Sequence, residues 1–140
     1  MPGIPSRHQR LTMKTVTAAI AVRDCHVFLA RRAHDQELAG CWEFPGGKLE
    51  ADETLHQCLV RELREELGVV STAGAVLCES IYHYDHGSIR LLGIETEFGS
   101  IDFSPTVHDQ LAWVPLDQLL LRQLAPADIP IAEFIVEHFR

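Results

Sequence analysis

The sequence predicts an α+β fold, a three-layer α/β/α sandwich around a mixed β-sheet. Two apolar, β-branched runs near the start, "TVTAAIAVRD" and "HVFLARR", read as strands. A helix with leucines every fourth residue occupies the middle of the chain. Further strands and a closing helix follow without the regular strand–helix alternation that a doubly wound sheet requires.

The elements follow in order. Residues 1–13 carry two prolines, a glycine and Arg7, His8 and Arg10, and are expected to be a flexible tail, with Met13 a candidate true start. Residues 14–140 are expected to form a single domain. Asp24 and Cys25 separate the first two strands as a tight turn. "AHDQELAGCW" is a polar loop, and "EFPGG" a short strand broken at Pro45. Thr54 and Gln57 form a capping box, so a helix starts there. Leu55, Leu59, Leu63 and Leu67 make its apolar stripe, and Gly68 ends it as a C-cap. "AVLCESIYHY" and "SIRLLGIETEF" read as a hairpin around "DHGS". "LAWV" is a short strand and "PLDQLLLRQL" a short helix opened by Pro115. In "DIPIAEFIVEHF", a closing helix, Ile131, Phe134, Ile135 and His138 share a face.

A chain of 140 residues is long enough to bury one core. No apolar run approaches the roughly 18 residues of a membrane span, and "MPGIPSRHQRLT" lacks a signal-peptide core, so a cytoplasmic location is expected. Cys25, Cys41, Cys58 and Cys78 contain no CxxC pair; they are read as reduced thiols, with Cys58 in the core. A net charge of −8 argues against stable binding to a nucleic-acid backbone.

Half of that excess lies between Glu50 and Glu66, where six acids face two arginines for a net of −4. Glu62, Glu65 and Glu66 are spaced i, i+3, i+4 and project from one helix face, away from the leucines. Like charges so placed repel, and Arg61 and Arg64 offset only part. A solvated face is the plain explanation. Gly46 and Gly47 just upstream favour another, because glycine lets backbone approach a ligand. Carboxylates beside a Gly-rich loop suggest a metal–phosphate site for a hard cation such as Mg2+.

From Gly47 the sequence reads G-x5-E-x7-R-E-L-x-E-E-x-G-V, with Gly47, Glu53, Arg61, Glu62, Glu65, Glu66 and Gly68 at the fixed positions. These 23 residues resemble the Nudix box without a departure. The surrounding order of strands, "EFPGG", helix and later Trp113 looks like the MutT branch. "LAPADIP", residues 124–130, resembles the bacterial CTP pyrophosphohydrolases more closely than MutT.

The resemblance implies the α/β/α sandwich and hydrolysis of a nucleoside triphosphate to monophosphate and pyrophosphate, with Mg2+ or Mn2+ as cofactor. Water attacks phosphorus in line. It assigns Glu62, Glu65 and Glu66 to the metal, with the Gly46 carbonyl completing the site. Glu53 is either a ligand of an extra metal or a partner of Arg61 that holds the loop. Arg61 orients the carboxylates, so Glu65, Glu62, Glu53 and Arg61 form the expected catalytic group. Arg32 is expected to hold phosphate or ribose through its planar fork, with Arg31 facing away. Lys48 is expected to reach a phosphate and Phe44 to line the base pocket.

Asp128 is expected to read the base. As an ionised acceptor it would suit the 4-amino group of cytosine and oppose the oxygen of uracil or thymine. It could instead, or also, cap the closing helix.

One position departs from the family. Six residues before Trp113 stands Val107, where many relatives place a glutamate. His108 or Asp109 would then serve as base, unless the helix glutamates do both jobs; a loop-fixing histidine is the plainer expectation. His83, Tyr84, Asp85 and His86 read as a polar turn, and Trp42 and Trp113 as packed aromatics.

Cytosine nucleotides are the leading substrate class and 8-oxo-dGTP the alternative. ADP-ribose, dinucleoside polyphosphates and a non-hydrolytic binding module are further readings. Monomer and homodimer are both compatible with the sequence.

Overall fold

The structure, a computed structural model, describes residues 13–85 and 87–139. The expected tail lies outside these residues except for Met13. The strands are β1 (Lys14–Ile20), β2 (Val22–Arg23), β3 (His26–Arg32), β4 (Trp42–Glu43), β5 (Ser71–Tyr84), β6 (Gly87–Phe98) and β7 (His108–Pro115). The helices are α1 (Leu55–Leu67) and α2 (Ile129–His138), with 3-10 segments at Leu116–Leu121 and Pro126–Asp128.

The hydrogen-bond ladders define two sheets. The first runs β1-β6-β5, with β1 parallel to β6 and β6 antiparallel to β5, and is therefore mixed. The second is antiparallel around β3, which pairs with β2, β4 and β7. Asp24 and Cys25 have φ of 51° and 60°, as the two central residues of a type I′ hairpin turn do. The stretch after Pro45 joins the sheets. Ala19 N–H donates to the Pro45 carbonyl, Thr17 N–H to that of Gly47 and Leu49 N–H to that of Thr15.

Strand alternation sends side chains to two faces, each with its own core. On one face Ala18, Ile20, Val27, Leu29, Leu91 and Val114 pack with Ile131, Ala132 and Ile135 of α2. On the other Ala19, Ala21, Phe28 and Ile94 pack with Leu59, Leu63 and Leu67 of α1. This is the expected three-layer arrangement. Each of the three α1 leucines is fully buried, so truncating one to Ala should cost roughly 2–5 kcal/mol. Trp113 joins this second core beside Phe28, 5.3 Å between ring centroids, and Trp42 lies beneath the Arg122 guanidinium at 4.7 Å.

The local signals of α1 hold. Thr54 Oγ1 accepts from the Gln57 amide at 3.1 Å, and Gln57 Oε1 accepts from the Thr54 amide at 2.9 Å. Gly68 closes the helix at φ 66°, its N–H donating to the Arg64 carbonyl.

Other boundaries differ from expectation. "LAWV" is the middle of the longer β7, which pairs with β3 along its whole length. β5 begins at Ser71 and carries two register shifts, because it follows β6 to Phe98. The leucine-rich run after Pro115 is 3-10 rather than α; it buries only Leu119, leaving Leu120 and Leu121 outside, too little to hold a full helix against the core. On α2, Phe134 stacks on His138 at 5.1 Å beside the buried Ile131 and Ile135.

Candidate active site

The acidic face of α1 is organised by one arginine. Arg61 donates to both oxygens of Glu53, Nε to Oε2 at 2.7 Å and Nη2 to Oε1 at 2.9 Å. Its Nη1 donates to Glu62 at 2.8 Å and to Glu65 at 3.4 Å, and its Nη2 to the Lys48 carbonyl at 3.2 Å. Glu53 also accepts from the Glu50 amide, and these bonds, Arg61 first, hold its carboxyl at a pKa of about 2. Of the two roles open to Glu53, the structure supplies the geometry of the loop-holding partner.

The two glycines are required by contact. A Cβ at Gly46 would stand 2.0 Å from the Thr17 carbonyl oxygen, and one at Gly47 would stand 2.2 Å from Cδ of Glu62. The loop thus lies between β1 and a metal-candidate carboxylate. The carbonyls of Pro45 and Gly47 bond to β1, so in extended backbone the intervening Gly46 carbonyl points the other way.

Glu66 differs from its neighbours. Its Oε2 is buried with no hydrogen-bond partner among the described residues. Burial pushes its pKa up to about 8, aided by Glu43, Glu62 and Glu65 and opposed by Arg32. A buried carboxylate oxygen without a donor fits a place that a cation would fill. Among the described residues, no group of three or more His, Cys, Asp or Glu could hold a metal ion by itself as the side chains stand. The donor set still fits Mg2+ or Mn2+, because Mg2+ keeps several waters and takes one or two carboxylates plus substrate oxygens.

Beside Glu66 opens a cavity of about 620 Å3, large enough for a nucleotide. Six of the expected residues line it: Arg32, Phe44, Gly46, Lys48, Glu66 and Asp128. Glu53, Arg61, Glu62 and Glu65 do not line it; they form the adjoining acidic face.

Arg32 is a partial correction. A register shift in the β3–β7 ladder sets Arg32 against His108, while Arg31 pairs with Asp109 at the surface, 2.8 Å apart. The Arg32 fork is already committed. Nη1 donates to Glu43 at 3.1 and 3.3 Å, and Nε donates to the Glu37 carbonyl. Only Nη2 makes no hydrogen bond among the described residues, so the planar fork cannot grip a phosphate as it stands.

Asp128 is corrected in two respects. It stands at the start of α2 but makes no capping bond; its Oδ1 accepts from the Phe44 amide at 3.0 Å. Its surroundings also work against the ionised form. Burial beside Glu43 raises its pKa well above the usual carboxylate range.

His108 fixes structure and does not face a substrate. Its side chain is fully buried, and Nε2 donates to Glu43 Oε2 at 2.8 Å. Asp109 is held by Arg31 and does not line the cavity. Neither is placed as a base. His83 bonds to Ser88 at 2.6 Å within the hairpin, and His86 lies outside the described residues. All four cysteines are free, and Cys58 is buried.

Several residues were missed from sequence. Glu43 links Arg32 to His108 inside the cavity wall, and Tyr84, Lys14 and Leu38 line the same space. Glu43 did leave a signal, an acid between two aromatics just before the glycines.

Fold, box geometry and cavity define a phosphoanhydride hydrolase, and the comparisons agree. Residues 13–135 match the NUDIX domain, and the chain belongs to that family of hydrolases. Nudix hydrolases generally use divalent metal ions such as Mg2+. The chain is 41% identical over 127 residues to the CTP pyrophosphohydrolase of Escherichia coli (strain K12), covering 88% of this chain and 91% of that protein. It is 46% identical over 68 residues to the 8-oxo-dGTP diphosphatase of Proteus vulgaris, covering 47% and 60%. Among solved structures it resembles the E. coli ORF135 protein, with TM-score 0.80, 38% identity and 90% of each chain covered. No helix among the described residues is long and apolar enough to cross a membrane.

Proposed function

We propose that this protein is a divalent-metal-dependent nucleoside triphosphate pyrophosphohydrolase that acts on cytosine nucleotides and releases the monophosphate and pyrophosphate. The observation that carries it is a single cavity lined both by Glu66, with its partnerless oxygen, and by the buried carboxyl of Asp128. The 41% identity to a CTP pyrophosphohydrolase over most of both chains supports the substrate class.

Glu62, Glu65, Glu66 and the Gly46 carbonyl would hold Mg2+ or Mn2+, which when bound neutralises phosphate charge and acidifies a water. Arg61 and Glu53 keep those carboxylates apart and oriented. Lys48 and Lys14 supply positive charge at the cavity wall for the phosphates, a task the committed fork of Arg32 leaves to them.

The base is read at Asp128. Burial raises the Asp128 pKa and so favours its protonated form, in which Oδ1 accepts from the Phe44 amide and Oδ2 would carry an O–H donor. Cytosine N3 accepts such a bond. Uracil, thymine and guanine present an N–H at the corresponding edge and would meet donor with donor. A mispaired buried group of this kind discriminates strongly. This replaces the acceptor-only argument.

The test is kcat/KM for CTP, dCTP, 5-hydroxy-dCTP, UTP, dTTP and 8-oxo-dGTP with Mg2+, for the native protein and Asp128→Asn. Cytosine nucleotides should lead, the lead should shrink as pH rises and Asp128 ionises, and the Asn variant should lose it. Equal rates for all bases would remove cytosine from the reading. The local likeness to 8-oxo-dGTP diphosphatases favours a second reading, which a preference for 8-oxo-dGTP would establish. A binding module without hydrolysis is disfavoured by the complete set of box carboxylates.

The proposal extends to a single domain over residues 14–140 preceded by a tail, a cytoplasmic location, a monomer or homodimer, and no stable nucleic-acid or membrane partner.

A further inference from the structure

We propose that Leu38 is a specificity-determining contact that covers the nucleobase, and that Arg32 is the positioning residue that holds it there. The inference rests on the nucleotide reading above. Leu38 lies in the loop between β3 and β4, lines the cavity and leaves 41% of its surface exposed. Its φ is +56°, a left-handed conformation that side chains other than glycine and asparagine seldom adopt. A large apolar side chain left two-fifths exposed gains less from folding than a buried one, and here it also sits in disfavoured backbone. Such a conformation persists where its surroundings over-determine it, and these sites cluster at ligand contacts.

The surroundings do over-determine it. The Glu37 carbonyl, on one side of Leu38, accepts from Arg32 Nε. The Leu38 carbonyl, on the other, accepts from the Cys41 amide at 3.0 Å. Arg32 is itself fixed by Glu43, and Glu43 by the buried His108. The chain of contacts therefore runs from the second core's neighbouring strand to one exposed leucine at the cavity wall.

The ligand chemistry follows from the cavity's other walls. Phe44, Ile89, Leu91 and the Tyr84 ring give it an apolar lining, and Asp128 is a buried polar group among them. A flat, partly apolar group with a hydrogen-bonding edge suits that lining. The phosphates belong near Glu66 and Lys48. Leu38 would thus act on the nucleoside end and be indifferent to pyrophosphate.

The test uses the best nucleotide of the panel. It measures KM, the inhibition constants of the matching monophosphate and of inorganic pyrophosphate, and Tm. Native protein is compared with Leu38→Gly, Leu38→Met and Arg32→Lys. Leu38→Gly should raise KM and the monophosphate constant on the order of tenfold, because an apolar contact of leucine size is lost. The pyrophosphate constant should stay within twofold. Tm should not fall, because glycine accepts the left-handed backbone. Leu38→Met should restore nucleotide binding to within threefold of native. Arg32→Lys should weaken the monophosphate in the same direction, and combining it with Leu38→Gly should add less than the sum. Native turnover with monophosphate binding unmoved in Leu38→Gly overturns the inference alone. Equal weakening of monophosphate and pyrophosphate, with a lower Tm, also overturns it by showing a purely structural loop. Failure of the native protein to turn over any nucleotide overturns the pyrophosphohydrolase reading and the contact with it.

Discussion

Arg61 grips Glu53 through two parallel bonds of 2.7 and 2.9 Å, and the same guanidinium reaches Glu62 and Glu65. A fork of this shape cannot be reproduced by lysine. Arg61→Lys and Glu53→Gln should therefore each lower turnover on the order of tenfold, the range seen when groups that orient metal ligands are removed. Glu53 also has a pH signature. Its folded pKa of about 2 lies below its unfolded value, so the pair stabilises the fold above that value and loses this as pH falls toward 2. Melting curves of Glu53→Gln should be flatter over this acid window than those of the native protein. Identical pH dependence would show that the grip contributes nothing to folding.

The adjacent glycines should fail in different ways. Gly46→Ala puts a methyl 2.0 Å from a β1 carbonyl, which cannot move without the strand, so Tm should drop by an amount equivalent to roughly 1–3 kcal/mol. Gly47→Ala meets the end of a side chain, Glu62, which can swing aside. Its folding cost should be smaller, while turnover should fall on the order of 10²-fold as Glu62 leaves its place. Thermal melts and steady-state rates on the same two variants check this. A Gly47→Ala protein with full activity would remove Glu62 from the site.

Glu66 links metal to stability. Its folded pKa, about 8, lies above the unfolded value near 4.5, so without metal the folded state holds a proton that the unfolded state has lost. Metal-free protein should thus lose stability as pH rises from about 4.5 to 8. Mg2+ should raise Tm most at the alkaline end. Glu66→Gln should abolish both effects and reduce turnover by at least about 100-fold. Tm measured against pH with EDTA and with Mg2+ decides it; a flat metal-free profile would contradict the buried carboxyl.

His108 should behave as a support. Its imidazole is buried against Glu43 and does not line the cavity. His108→Ala leaves a cavity and removes one of the two donors to Glu43, leaving only Arg32, so stability should fall by about 1–3 kcal/mol. The shape of the pH–rate profile should stay as in the native protein. A lost acid limb would instead make His108 the base.

What could be read from sequence was what is local. Thr54, Gln57, the leucine stripe and Gly68 act within one helix, and α1 appears with its caps in place. The carboxylate positions follow from helical spacing for the same reason. Glu43 escaped because its two partners act across the fold; His108 lies 65 residues further along. The commitment of Arg32 escaped likewise, since it depends on a register shift against β7. Tyr84 was hidden by its setting. It closes the expected strand "AVLCESIYHY", but beside Asp85, His86 and Gly87 it reads as part of a polar turn, whereas it lines the cavity. Asp128 does line the cavity, but the burial that raises its pKa is encoded by no local pattern.

The bond from the Phe44 amide to Asp128 spans 84 residues and ends on an oxygen of a carboxyl whose pKa burial raises. An amide proton held by a carboxyl responds to that carboxyl's charge. The backbone resonance of Phe44 is therefore a natural spectroscopic gauge of the nucleoside end, shifting with the ionisation of Asp128 and again when a ligand takes its other oxygen. It would allow occupancy to be followed by titration with a non-hydrolysable analogue, with no turnover and no attached label.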